Sequence, residues 1–263
     1  MYEAAERCIY CGTVNDSLTR EHIIPYALGG ELVLPKSSCD TCQKITSKNE
    51  LIIARQLYGL HRAYEGIKSR RNKNAGKLNE YLEVTGVDNN GRKVTENILV
   101  RDLPSFQIIV KYTQPGLLSG KESQFTLESK FLKQGETKLT ELRVKLGWSK
   151  ISLRSPTANP HSFSKQLAKI AHAYCCAELG HDGFEPLLIE HILDKTAEKH
   201  ITYYVGGYEP QLPQTREGLI LSYIDLDGIK YIKVDISLHF FKESPRYQVI
   251  CGKLNGGNSG GNF

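Results

Sequence analysis

Two cysteine pairs, Cys8-x-x-Cys11 and Cys39-x-x-Cys42, stand 27 residues apart and constrain this chain more than any other feature. At x-x spacing a tight turn aims both thiolates at one point, so two such pairs can close on a single tetrahedral zinc. The intervening stretch is longer than the roughly 15–20 residues of a plain zinc ribbon. The excess holds Thr19-Arg20-Glu21-His22-Ile23-Ile24-Pro25 and the pair Gly29-Gly30. So short a segment has little core of its own, and metal binding should supply much of its folding energy. Seven cysteines is an odd number, which argues against a fully paired disulfide framework. Cys175, Cys176 and Cys251 are read as buried thiols.

The N-terminus has no basic-then-apolar leader, and no apolar run reaches membrane length. The expectation is a cytoplasmic protein without a membrane partner. Net charge is +5, and it is concentrated. Residues 61–77 carry Arg62, Lys68, Arg70, Arg71, Lys73 and Lys77 against Glu65 alone. Such a run is either a solvated linker or a phosphate-binding track whose affinity falls with salt.

The pattern along the chain predicts an α+β protein. Cys8-Ile9-Tyr10-Cys11-Gly12 reads as a metal knuckle. Residues 18–24 and 32–34 read as short strands around Gly29-Gly30, and a helix runs from Asp40 to about Tyr58. Residues 81–85 and 94–100 flank Asn89-Asn90-Gly91, a hairpin signal. Phe106–Tyr112 and Leu139–Leu146 read as strands, and Gly206-Gly207 as a turn. A helix closes at Gly180, and Pro186 is expected to open another through about Thr196. Leu219–Leu226 and Ile229–Phe240 form a second hairpin about Asp227-Gly228, and Arg246–Cys251 adds a strand. The expected organisation is a module over 1–58, a basic linker over 59–77, a larger α+β domain over 78–254 and a disordered Gly/Asn-rich tail over 255–263.

A neutral imidazole can take a proton from water near neutral pH, so His22, set beside Glu21 inside a metal frame, is a candidate base. The bland alternative is a packing or capping histidine. Elsewhere, His172-x-x-Cys175, His181-Asp182 and Glu190-His191 lack a comparable frame. Trp148 is read as core rather than a base-stacking platform.

The set Cys8-x-x-Cys11, Arg20-Glu21-His22-Ile23-Ile24-Pro25, Gly29-Gly30 and Cys39-x-x-Cys42 resembles the zinc-bracketed HNH endonucleases of ββα-metal fold, over residues 8 to about 58. The resemblance implies DNA (RNA possible) as substrate and His22 as general base. It implies Glu21 and Gln43 as ligands of one catalytic divalent cation, Mg²⁺, Mn²⁺ or Ni²⁺, beside a structural Zn²⁺ on the four cysteines. Asn49 and Glu50 are alternative ligands. Arg20, Lys44 and Lys48, with Lys68, Arg70, Arg71 and Lys73, would follow the phosphate backbone. The implied setting is restriction, phage defence or a mobile element, with a homodimer or an activating partner possible.

The chain departs from the family at Glu21, where Asp is commoner, and at Gln43, where Asn or His is usual. The stretch Leu34–Ser38 lacks the middle Asn, leaving Ser37 or Ser38 to hold the catalytic loop. These departures support the alternative of a catalytically inactive zinc module that binds nucleic acid or protein. A small-molecule zinc hydrolase fits poorly, because four cysteine ligands leave no open position for water.

Overall fold

The structure, a computed structural model, describes residues 2–59, 81–104, 106–131, 134–153, 158–209, 218–238 and 245–255. The basic run bearing Lys68, Arg70, Arg71 and Lys73 lies outside the described residues, as does the tail after Asn255. The protein is α+β. Its elements are β1 (Thr19–His22), β2 (Val33–Ser38), α1 (Asp40–Gln56), β3 (Tyr81–Asp88), β4 (Lys93–Leu99), β5 (Phe106–Tyr112), α2 (Gly116–Ser119), β6 (Phe125–Phe131), α3 (Gly135–Leu146), β7 (Trp148–Ser152), α4 (Pro160–Leu179), β8 (Phe184–Pro186), α5 (Ile189–Ile192), β9 (Val205–Tyr208), β10 (Gly218–Leu226), β11 (Ile229–Ser237) and β12 (Arg246–Leu254).

β1 and β2 pair antiparallel, with Glu21 opposite Leu34 and His22 opposite Val33. The largest sheet runs β10-β11-β12-β8, with β9 also on β12. Two smaller sheets are β4-β3-β7 and β5-β6. The two expected hairpins form as read. Asp88 Oδ1 accepts from the amides of Asn90 and Arg92 and fixes the first turn. Asp227 and Gly228 both take positive φ in the second, the twist a two-residue hairpin needs.

The central helix is α4. Asn159 caps it by accepting from the Ser162 amide, Pro160 opens it and Gly180 ends it, as the sequence signals require. One continuous apolar core joins Ile9, Tyr10, Ile23, Leu34 and Ile53 of the N-terminal region to Phe163, Leu167 and Ile170 of α4, and onward to Val234, Ile236 and Val249 of the large sheet. A separate small core gathers Val84, Ile98, Leu103, Leu142 and Trp148, so Trp148 is packed inside as expected. Its ring lies where a Cβ at Gly86 would stand, 2.3 Å away.

Three expectations are corrected. Leu139–Leu146 belongs to helix α3, not a strand: Leu142 is buried while Val144 is exposed, so the helical spacing of Leu139, Leu142 and Leu146 prevails over the alternation of Leu142, Val144 and Leu146. The helix expected from Pro186 shrinks to Ile189–Ile192, because Phe184–Pro186 pairs with the end of β12. Gly206-Gly207 lies within β9 rather than in a turn. A Cβ at Gly206 would meet the Pro115 nitrogen at 2.3 Å, so glycine is needed for close backbone approach. Cys175 of α4 and Cys251 of β12 are buried side by side, with Cα atoms 7.4 Å apart.

Candidate active site and metal centre

The knuckle forms through backbone turns. The Cys8 carbonyl accepts from Gly12, the Cys8 amide donates to Thr13, and Gly12 adopts positive φ. Cys39 is the N-cap of α1 and Cys42 lies in its first turn. The four sulfurs fall within 4.8 Å of one another, with Cys11 Sγ 3.6 Å from Cys39 Sγ. Zn–S bonds of about 2.3 Å in a tetrahedron place sulfurs about 3.8 Å apart, so this donor set could hold a zinc ion. Burial pushes the Cys8 and Cys42 thiols up. A cation among the sulfurs would favour the thiolates.

Between the pairs, the chain leaves β1, makes a single 3-10 turn at Tyr26–Leu28 and closes at Gly29 with positive φ. Gly30 packs against Ile24, whose carbonyl oxygen would lie 2.1 Å from any Cβ added there. This fixes the segment that follows His22. Ser37 Oγ donates to the Leu34 carbonyl at 2.6 Å, and the Ser37 carbonyl accepts from Ile9. Ser37 therefore ties β2 to the knuckle.

Neighbouring residues of a strand face opposite sides, and Glu21 and His22 do so. Glu21 is only 6% exposed; His22 is half-buried as a residue, with both ring nitrogens buried and its ring 5.9 Å from that of Tyr26. Glu21 Oε1 lies 2.5 Å from Lys169 Nζ, and the same ammonium is 2.9 Å from Glu50 Oε1. It also donates to the His22 carbonyl. Burial alone would strip Lys169 of its proton, but the charges and hydrogen bonds of Glu21 and Glu50 outweigh it and raise its pKa above the usual lysine range. Burial raises the Glu21 carboxyl above its ordinary value, against the pull of Lys169.

The other candidates fall as follows. Gln43 is half-buried in the first turn of α1. Glu50, two turns further along that helix, is brought to Glu21 through Lys169. Asn49 is buried and donates to the Ser162 carbonyl at 3.0 Å, so it joins α1 to α4. Arg20, Lys44 and Lys48 are exposed, and Lys44 and Lys48 share a helix face. Lys169 was missed in the sequence reading. Its one signal was a polar series, Lys165, Lys169, His172 and Cys176, at helical spacing on an otherwise apolar helix. Such a series reads as a solvent face, yet Lys165, Lys169 and His172 are buried.

His172 belongs to the same contact and holds no metal pair with Cys175. Its Nε2 is 2.7 Å from the Ile9 carbonyl, so Nε2 carries the proton and donates. Burial lowers its pKa to about 4, below the roughly 6.5 of an unfolded histidine. The unfolded chain then binds one more proton between those values. This contribution to stability is complete above about pH 6.5 and is lost as pH falls toward 4, a total on the order of 3 kcal/mol. Urea midpoints should therefore drop between about pH 7.5 and about pH 5. His172→Gln should remove about one proton from that slope; an identical slope in the variant would refute the assignment.

Among the described residues no helix is long and apolar enough to cross a membrane. No curated protein and no solved structure matches the chain. A family model does: residues 8–50 match HNH endonuclease. That span opens at the first zinc-type cysteine and ends at Glu50, and so contains the four sulfurs, Glu21, His22 and Gln43. The likeness to HNH endonucleases thus lies in the N-terminal region of the chain, over the residues that build this site.

Proposed function

We propose that the protein is an HNH endonuclease hydrolysing phosphodiester bonds in DNA, in a cytoplasmic restriction, phage-defence or mobile-element setting. The observation that carries this reading is the family match laid over a cysteine-framed ββα unit in which Glu21 and His22 end β1. In this reading Cys8, Cys11, Cys39 and Cys42 hold a structural zinc. His22, the half-buried member of the pair, takes the proton of the attacking water. Glu21, with Gln43 or Glu50 from α1, would hold one divalent cation, Mg²⁺, Mn²⁺ or Ni²⁺. When bound, such a cation offsets the charge that builds on the phosphate and the leaving oxygen. Glu21 Oε1 is engaged by Lys169, so such a cation would share this carboxylate with the ammonium. Arg20, Lys44 and Lys48 supply exposed positive charge for the phosphate backbone, and the charges of Lys68, Arg70, Arg71 and Lys73 would add to the affinity. Cutting both strands would call for a homodimer or an activating partner.

The test is plasmid cleavage by zinc-replete protein stripped of other metals, with each divalent cation added back. Nicking or linearisation that depends on the added metal is expected. The Glu21–Lys169 ion pair favours one second reading, a module that binds nucleic acid without cutting it. That reading predicts no cleavage with any cation and a duplex affinity that falls steeply with salt.

A further inference from the structure

Lys169 lies far outside the matched span, on α4, yet its ammonium enters the site. It is 2% exposed. An ammonium has three protons to donate, and three acceptors meet it: Glu21 Oε1, Glu50 Oε1 and the carbonyl of His22. These come from both elements of the ββα unit that carry candidate chemistry, the end of β1 and the middle of α1. With every donor engaged, Lys169 has none left for a phosphate, so it cannot act by touching substrate. It can only fix the groups that do.

We infer that Lys169 is a positioning residue of the nuclease site, pinning the backbone of His22 and the carboxylate of Glu21 to α1, so that the C-terminal region completes the catalytic geometry of the N-terminal one. The inference rests on the nuclease reading above. Its physical basis is that a catalytic group must be held within a fraction of an ångström of its working position, and small displacements cost rate steeply. β1 is four residues long, and the strand alone is a weak clamp. A buried three-way ion pair is a strong one.

Truncating Lys169 would leave two buried carboxylates without a countercharge, which endangers folding itself. The informative variant is therefore Lys169→Arg. It keeps the charge but replaces a compact three-way donor by a longer planar fork. At temperatures well below unfolding and at saturating Mn²⁺, kcat should fall by about 10–100-fold. The DNA concentration for half-maximal rate should move less than about threefold, since no substrate contact is lost. Zinc content should stay at the wild-type level. Glu50→Asp added to Lys169→Arg shortens one acceptor to make room for the longer donor, and part of the lost rate should return. Lys165→Met, one turn earlier on α4 and paired with the exposed Asp194, should cut at the wild-type rate.

A second readout needs no activity. Amide hydrogen exchange over residues 19–24 should quicken in Lys169→Arg but not in Lys165→Met. If Lys169→Arg fails to fold, Glu50→Gln removes the charge of one of the three acceptors and should show the same kcat loss in milder form. Wild-type kcat in Lys169→Arg, or a loss no larger than its loss of zinc-bound folded protein, overturns the positioning role. A wild-type protein that cuts nothing overturns the nuclease reading first, before any variant is compared.

Discussion

Replacing His22 with alanine is expected to reduce DNA cleavage by about 10²–10⁴-fold, the usual worth of a positioned general base, while zinc content and fold stay as they are. The geometry allows such a clean loss. His22 enters the structure through two separate parts. Its backbone pairs with Val33 and accepts from Lys169, and alanine keeps both. Its ring lies beside Tyr26 with both nitrogens buried, so the unfolding midpoint of the variant is measured alongside its cleavage rate. Single-turnover cleavage at saturating Mn²⁺ separates the chemical step from product release. A variant that cuts near the wild-type rate would show that the proton goes elsewhere and that His22 serves only to pack. Glu21→Gln would be a poorer first choice, because it also removes a charge from the Lys169 ion pair and mixes folding with chemistry.

What could be read from the chain before the structure follows a physical divide. Signals carried by a few adjacent residues were legible. The Cys8–Gly12 knuckle, the Asn89-Asn90-Gly91 and Asp227-Gly228 turns and the Gly180 stop of α4 each depend on local backbone and hydrogen-bonding chemistry. The ββα order around the cysteines was legible for the same reason, and because two ligand pairs must converge. Where two periods compete, as in Leu139–Leu146, burial decides, and burial is a property of the whole fold. The short strand at Phe184–Pro186 exists because β12 lies beside it, not because of its own sequence.

The site shows the same divide. Glu21 and His22 stood out through their frame. That Glu21 turns inward, and that Glu50 rather than Asn49 approaches it, depends on Lys169, which lies 147 residues beyond His22. A lysine on an apolar helix ordinarily marks the wet side. Here α4 is covered on nearly every side, and Lys169 and His172 face the N-terminal region, which offers them acceptors: the Ile9 and His22 carbonyls and two carboxylates. The charge pattern of α4 thus encodes a docking partner rather than a surface.

Loss of the zinc is expected to have the largest effect on the fold. Structural zinc in small modules is worth about 10–16 kcal/mol of apparent folding energy, as much as the whole net stability of a typical domain. In this chain the four sulfurs bring the knuckle together with the start of α1, where Cys39 serves as the helix N-cap. Cys39→Ser, or prolonged chelation, should release the metal and unfold the region from the knuckle through α1. Cys8, Cys39 and Cys42 are members of the core that also holds α4 and the large sheet, so the loss should spread into α4 and lower its amide protection. The small core around Val84, Ile98 and Leu142 is separate and should survive. Trp148, the single tryptophan of the chain, sits in that small core. Its fluorescence should hardly change while far-UV helicity falls and the metal departs. Simultaneous loss of the Trp148 signal would mean that the two cores unfold as one unit. Zinc-free protein with undiminished helicity and an unaltered unfolding midpoint would mean that the four cysteines do not hold the fold together.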